Sequence, residues 1–338
     1  MDEVKDTRIP VTIITGFLGA GKTTLLNNLI SSCKNKKFAI IENEFGEINI
    51  DSDLVVGVKG ENIYELSNGC VCCTLNKELI FVLNDLLSSD TAFNHLLIET
   101  TGIADPASVV QPFILDHNIQ MDFRLDSVIC LIDTRIIEDI LNEQPEAFQQ
   151  IAYSDTLILN KINDVTKEKL NTIKARVQHI SPLAKVYETN FSDVSNLNIL
   201  DTFSYEPKSL TSFSLDFSRL SNYQQNYTVQ KQQVKKHEID SYGFVIPGNF
   251  NETSFMYWLD AFLEFNQKSI FRIKGILSVE GNKNKIVLQA VRDMAMVSKG
   301  EVWTKTETRN SKLVFIGKGL KADQIEKSLH TLIYESNR

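Results

Sequence analysis

The amino-terminal half of the chain alternates short, continuously apolar runs with longer mixed segments. "VTIITG" (Val11 to Gly16), "KFAIIE" (Lys37 to Glu42), "HLLIET" (His95 to Thr100), "DSVICLID" (Asp126 to Asp133) and "DTLILNK" (Asp155 to Lys161) are six to eight residues each. Strands buried on both faces read this way, because both rows of side chains must meet a hydrophobic layer. Helix-length stretches such as "KTTLLNNLISSC", "TLNKELIFVLNDLLSS" and "VTKEKLNTIKARVQHI" lie between them. The alternation predicts an α/β domain with a mainly parallel sheet over residues 8–190.

The pattern then changes. Residues 191–236 include "FSRLSNYQQNYTVQKQQVKK", rich in Gln, Asn, Ser and Lys and without a sustained period, which reads as a connecting segment. Over 237–338 the runs "SYGFVIP", "ETSFMYWLDAFLEF", "SIFRIKGILSVEG", "KIVLQAVRDMAMV", "SKLVFIG" and the text after Leu320 predict strand, helix, two or three strands, strand and helix. The Gly and Asn residues of "SVEGNKNKIVLQ" mark a hairpin. A smaller α+β domain is therefore expected at the carboxy-terminal end.

Composition narrows the class. A chain of 338 residues with 43% hydrophobic and 23% charged content is long enough for two domains with cores of their own. The start, "MDEVKDTRIP", is polar and acidic and reads as neither a secretory signal nor a mitochondrial presequence. No run approaches the roughly 18 apolar residues of a spanning helix. A cytoplasmic location is expected, where clustered cysteines point to metal or catalytic chemistry rather than to disulfides. A net charge of -8 speaks against nucleic acid as partner, since neutralising phosphates calls for a basic face.

"TGFLGAGKTTLL" fits GxxxxGK[ST] through Gly16, Gly21, Lys22 and Thr23, after a strand and ahead of a helix. The glycines let backbone N–H groups from Gly16 through Gly19, Ala20 and Gly21 to Thr24 wrap phosphates, and the helix start adds its positive end. Lys22 reaches the outer phosphates and the Thr23 hydroxyl can ligate Mg²⁺. "HLLIETTG" ends a strand on Glu99, which could hold Mg²⁺ through water or orient the attacking water, while the Gly102 N–H could sense the terminal phosphate. "LNKIND" supplies Asn160 and Lys161 for the base. In guanine-binding P-loop proteins an Asn-Lys-any-Asp sequence accepts two N–H bonds from guanine. Here Asn163 stands in the fourth position, with Asp164 next. An amide offers one acceptor oxygen beside its NH₂ donors, so either Asp164 takes the role or discrimination against adenine weakens.

Together "GFLGAGKTT", "IENEFGE" (Ile41 to Glu47), "NGCVCC" (Asn68 to Cys73), "ETTGIADP", "LNK", and in the second domain "RIKGIL", "QAV" and "SKLVFIG" resemble the P-loop GTPases related to the cobalamin-biosynthesis CobW proteins. The resemblance covers nearly the whole chain. It implies a GTPase domain of the signal-recognition class plus a smaller α+β domain, with hydrolysis of GTP to GDP. Many members are regarded as metal chaperones, which implies a client metalloprotein as partner; a homo-oligomer stays open. The family's guanine motif ends in Asp, so Asn163 is a departure. Its frequent histidine-rich stretch is missing, since the five histidines here are isolated.

The cysteines sharpen this picture. Cys70, Cys72 and Cys73 are three of the five in the chain, with Asn68-Gly69 before them to turn the loop on which they are expected. Three thiolates suit Zn²⁺ or another soft or borderline divalent ion. The resemblance places Glu42 in the same metal region, so Glu42 or water is the expected fourth donor, an arrangement open enough for release. Cys33 and Cys130 read as packing residues. "ENEFGE" falls where P-loop GTPases keep their first switch, so nucleotide state is expected to alter the metal site. Two rivals stand beside this chaperone reading: a scaffold GTPase with a permanent metal, and a P-loop kinase acting on a small molecule.

Overall fold

The computed structural model describes residues 6–42, 63–65, 72–89, 92–102, 104–206 and 239–334, with the backbone alone at 63–65 and 72–76. They form two compact units, Met1–Gln178 with Ala184–Ser204, and His179–Leu183 with Tyr205–Arg338.

In the first unit the strands are β1 (Ile9–Gly16), β2 (Phe38–Glu42), β3 (Ile63–Glu65), β4 (His95–Glu99), β5 (Phe123–Asp133), β6 (Thr156–Asn160) and β7 (Lys185–Glu188). They make one sheet in the order β3-β2-β4-β1-β5-β6-β7, and every neighbouring pair is parallel. Parallel neighbours need crossovers. The described ones are α1 (Lys22–Ser32), α2 (Cys72–Ser88), α3 (Pro106–Leu115), α4 (His117–Asp122), α5 (Ile137–Glu143), α6 (Pro145–Tyr153) and α7 (Lys167–Ile180). The five apolar runs are the buried strands β1, β2, β4, β5 and β6. β3 and β7, at the two edges, lie outside those runs: β3 has only three residues, and β7 is half-buried or exposed along its length.

Part of the expected connection is core. Val194 and Ile199 are 2% and 1% exposed and pack with Leu25, Leu29 and Ile129, while Leu197 and Leu200 lean on the same cluster. Four apolar side chains spread among polar neighbours give no period, yet they are enough to fasten residues 191–204 onto the first unit.

The second unit holds β8 (Ile239–Pro247), α8 (Glu252–Asn266), β9 (Ile270–Leu277), β10 (Asn284–Val291), β11 (Met294–Val302), β12 (Asn310–Lys318) and α9 (Ala322–His330). The sheet runs β11-β10-β9-β12-β8, antiparallel throughout. Both helices cover one face, burying Phe244, Phe255, Leu259, Phe315, Ile325 and Leu329 together. The hairpin expected in "SVEGNKNKIVLQ" joins β9 to β10. The run "KIVLQAVRDMAMV" is two strands, turned at Arg292, whose φ of 53° is left-handed. Asp293 is the one turn former there, and without Gly or Asn beside it the turn leaves only a weak compositional mark.

Candidate functional site

β1 lies at the centre of the first sheet with β4 on one side and β5 on the other. In open α/β sheets the crevice beyond the strand ends at such a switch point is where ligands bind. β1 ends on Gly16 at φ 142°, and a Cβ there would run into the Leu131 carbonyl of β5. The chain turns back through a bond from the Ala20 N–H to the Phe17 carbonyl (3.1 Å), and Gly21, left-handed at φ 104°, starts α1. Lys22 and Thr23 thus open a helix whose first turn has no acidic residue and whose cap makes no side-chain bond. Backbone donors there are oriented for an anion.

Two neighbouring segments close on this loop. From β4, Glu99 sits with Oε1 3.8 Å from Lys22 Nζ, and both residues are only 8% exposed. Gly102 abuts the loop so tightly that a Cβ would lie 2.7 Å from the Leu18 nitrogen, and the buried Gln150 amide donates to its carbonyl at 3.0 Å. From β6, Asn160 (1% exposed) donates through Nδ2 to the Ala20 carbonyl at 2.8 Å. Lys161 donates to the Gly19 carbonyl at 2.7 Å and to Asp133 Oδ2 at 2.8 Å. Burial pushes the Asp133 carboxyl up, but bonds from Arg135 and Lys161 outweigh it and hold the group below its ordinary range. Asp133 is therefore a fixed anion that pins the Lys161 ammonium over the loop.

Asn163 and Asp164, in the short 3₁₀ turn Ile162–Asp164, are both exposed. The Asn163 N–H is taken by Asn190 Oδ1 at 3.0 Å, and the Asp164 carboxylate lies 3.9 Å from Arg135.

Among the carboxylates, register adds a relation that sequence spacing does not contain. Glu42, Glu99 and Glu65 are partners across β2, β4 and β3, so three adjacent strands end on glutamate in one row. Glu42 is 3% exposed. Like charges buried side by side need cations, and Lys22 lies beside Glu99. Carboxylates and the Thr23 hydroxyl are alike hard oxygen donors, the kind of group that fits Mg²⁺.

The cysteine expectation needs correction in one respect. Cys72 and Cys73 are the first two residues of α2 rather than loop residues, because the helix begins two residues before its apolar period becomes visible. Cys70 and residues 43–47 of "ENEFGE" lie outside the described residues. Among the described residues no group of three His, Cys, Asp or Glu could hold a metal. Cys130 is buried in β5 with its thiol pushed up to about 12, and Cys33 leans on the core, as packing residues do.

A group that sequence reasoning passed over joins the two halves of the site. Ser192 donates to the Gly21 carbonyl at 3.0 Å, receives a bond from Asn160 Nδ2 at 2.9 Å, and gives its own N–H to Asn160 Oδ1 at 3.0 Å. Asn28 of α1 donates to the carbonyls of Phe191 and Ser192 at 2.9 and 2.8 Å. The Asn, Ser and Asp of "ETNFSD" are turn formers, a signal hidden by the polar text that follows.

Comparison with known proteins agrees with this geometry. Residues 10–188 match the family described as CobW/HypB/UreG, nucleotide-binding domain, and residues 239–333 match the cobalamin synthesis protein cobW C-terminal domain. The chain is 32% identical to zinc-regulated GTPase metalloprotein activator 1 of Schizosaccharomyces pombe over 85% of its length and 76% of that protein's. It is 31% identical to the zinc chaperone YjiA of Escherichia coli, over 94% of this chain and 96% of that one. The crystal structure of Zn(II)-bound YjiA GTPase from E. coli superposes with a TM-score of 0.74 at 26% identity, covering 97% of this chain and 100% of that one. With a phosphate loop at the switch point of a parallel sheet, an antiparallel second unit and both family matches in order, the chain belongs to the CobW/HypB/UreG family.

Proposed function

We propose that this protein is a GTPase that carries zinc and couples the ion's transfer to a client metalloprotein to GTP hydrolysis. The observation that carries the reading is the row Glu42–Glu99 with Lys22 beside it. Glu42, which the resemblance puts in the metal region, lies one strand over from Glu99, with the two backbones about 4.8 Å apart, and the Glu99 carboxylate is 3.8 Å from the phosphate-loop lysine. Whatever draws on Lys22 therefore changes the field at Glu42.

In this reading the backbone of Gly16 to Thr24 cradles the phosphates, Lys22 balances charge on the outer ones, and Glu99 orients the attacking water. The Thr23 hydroxyl would hold Mg²⁺, which would supply neutralising charge to the phosphate oxygens. Asn160 and Lys161 support the base loop, with Asn163 or Asp164 reading the base. Zinc, as cargo, is taken by Cys70, Cys72 and Cys73 with Glu42 or water. The relatives' printed names, zinc chaperone and zinc-regulated GTPase metalloprotein activator, support the metal and a client. No described helix is long and apolar enough to cross a membrane. A cytoplasmic setting would keep the thiols reduced.

The test is zinc titration of the reduced protein against a chromophoric competitor, with GTP analogue and with GDP. A hundredfold ratio of affinities would correspond to about 2.7 kcal/mol of coupling, the size expected for one rearranged ligand. Equal affinities in both states would leave a scaffold GTPase, and transfer of phosphate to a small molecule without free phosphate would leave a kinase. The Cys72→Ser, Cys73→Ser variant should lose the tight site while still binding nucleotide. Affinity, not presence of zinc, is the readout, because a triple alanine variant of YjiA lacking one glutamate and two cysteines also crystallises with Zn(II).

A further inference from the structure

Gln150 of α6 is 1% exposed, and its Nε2 donates to the Gly102 carbonyl at 3.0 Å and to the Ala104 carbonyl at 3.4 Å. An amide NH₂ has two hydrogens, so one side chain serves both carbonyls. The stretch it holds has fixed ends: the Thr100 N–H donates to the Ile14 carbonyl of β1 at 2.9 Å, and Asp105 caps α3 by accepting the Ala107 N–H at 3.0 Å. Between those ends Gly102 lies against Leu18 of the phosphate loop, and among the described residues nothing accepts its N–H. Phe17, Ile137, Ile140 and Ile151 line the space beside Gln150, whose volume of about 10 Å³ is at the lower limit for one water. An apolar residue of the same size would suit such neighbours better, since a buried amide is costly unless bonded. What the amide bonds is therefore its explanation.

We propose that Gln150 is a positioning residue for GTP hydrolysis: its two bonds hold Gly102 against Leu18, so that the Gly102 N–H meets the terminal phosphate of GTP and has no partner in GDP. This rests on the reading that nucleotide binds with its phosphates at Gly16 to Thr24. A donor that bonds only the terminal phosphate separates substrate from product, and how closely it is placed decides how well charge developing on that phosphate is met. The backbone cradle and Lys22 do not depend on Gln150, so the other phosphates keep their contacts when the amide is removed.

The experiment compares the full chain with Gln150→Met, of similar volume but without the amide, in binding GDP and a non-hydrolysable GTP analogue and in phosphate release at saturating GTP and Mg²⁺. The variant is expected to bind the analogue about tenfold more weakly and to release phosphate about tenfold more slowly, with GDP affinity within twofold of the parent. Gln150→Glu, of equal size but without the NH₂ donors, should show the same selective loss and serves if Gln150→Met does not fold. Ser154→Ala is the control: its hydroxyl bonds the main-chain carbonyl of Gln150 at 2.7 Å, so it loosens the same helix without touching the amide, and should keep the parent's ratio of analogue to GDP affinity. Analogue binding and phosphate release within twofold of the parent in the Gln150 variants would overturn the proposal. Equal loss of GDP and analogue would overturn it too, making Gln150 a brace of the fold, as would the same selective loss in Ser154→Ala. A parent chain that binds neither nucleotide would overturn the proposed function itself.

Discussion

Asn160→Ala isolates the junction between the phosphate loop, the end of β6 and the turn after β7. The Asn160 side chain donates to the Ala20 carbonyl and Ser192 Oγ and accepts from the Lys161 and Ser192 N–H groups, at 2.8, 2.9, 2.9 and 3.0 Å. It is 1% exposed, so alanine leaves these partners in a space water enters poorly. At about 1 kcal/mol net per bond the loss sums to roughly 4 kcal/mol, and partial entry of water reduces it to about 2–4 kcal/mol. That is a large share of an ordinary domain's stability. Both tryptophans, Trp258 and Trp303, belong to the second unit, so their fluorescence reports that unit alone in a urea titration. Far-UV circular dichroism and hydrogen exchange of α1 amides report the first. The exchange-derived free energy of α1 should fall by the stated amount, while the tryptophan transition moves little. Asn160→Asp keeps the acceptor but sets a second carboxylate oxygen against the Ala20 carbonyl, and should be destabilised comparably at nearly unchanged volume. A fall below about 0.5 kcal/mol in both variants would refute the hydrogen-bond argument.

Three further outcomes are expected. Lys22→Ala should lower phosphate release at saturating GTP and Mg²⁺ by about 100-fold or more with the fold intact, and a rate within twofold of the parent would remove Lys22 from the chemistry. Asn163→Asp should raise the GTP over ATP preference about tenfold in competitive binding, since it restores paired acceptors; unchanged preference with loss in Asp164→Ala would assign the role to Asp164. His95 should make the first unit acid-sensitive: burial, reinforced by the Lys36 ammonium, drives its imidazole from 6.5 to about 3. Its Nδ1 accepts from Lys36 at 3.3 Å, so Nε2 carries the proton toward Thr12 at 2.9 Å. Because the folded value lies below the unfolded one, the unfolded chain binds the extra proton between those limits. Stability should therefore fall as pH drops through that window, by up to about 1.4 kcal/mol per pH unit. Asp126 nearby works in the opposite sense, its carboxyl raised by burial, so the comparison is with His95→Asn, whose pH profile should be flatter. Parallel profiles would show that His95 does not titrate as described.

Some features of this protein are local and so are written in the sequence. β1 into Gly16, Gly21 and Lys22 is a contiguous strand, loop and helix, and the continuous apolar runs of β2, β4, β5 and β6 declare strands covered on both faces. The second unit's order of elements follows from the same alternation. Other features depend on residues far apart meeting. β7 is legible only as the partner of β6, because an edge strand is half-solvated and loses its apolar pattern. Residues 191–204 look like linker until Val194 and Ile199 find the core around Leu25 and Leu29. Register alone puts Glu42 beside Glu99, which are separate motifs along the chain. Ser192 reaches Gly21 across 171 positions, a contact no periodicity encodes. The phosphate loop was legible because its chemistry is done by consecutive backbone groups. The brace behind the phosphate loop was decided only by folding, since it is made of side chains whose partners the chain brings together from α1, β6 and the turn after β7.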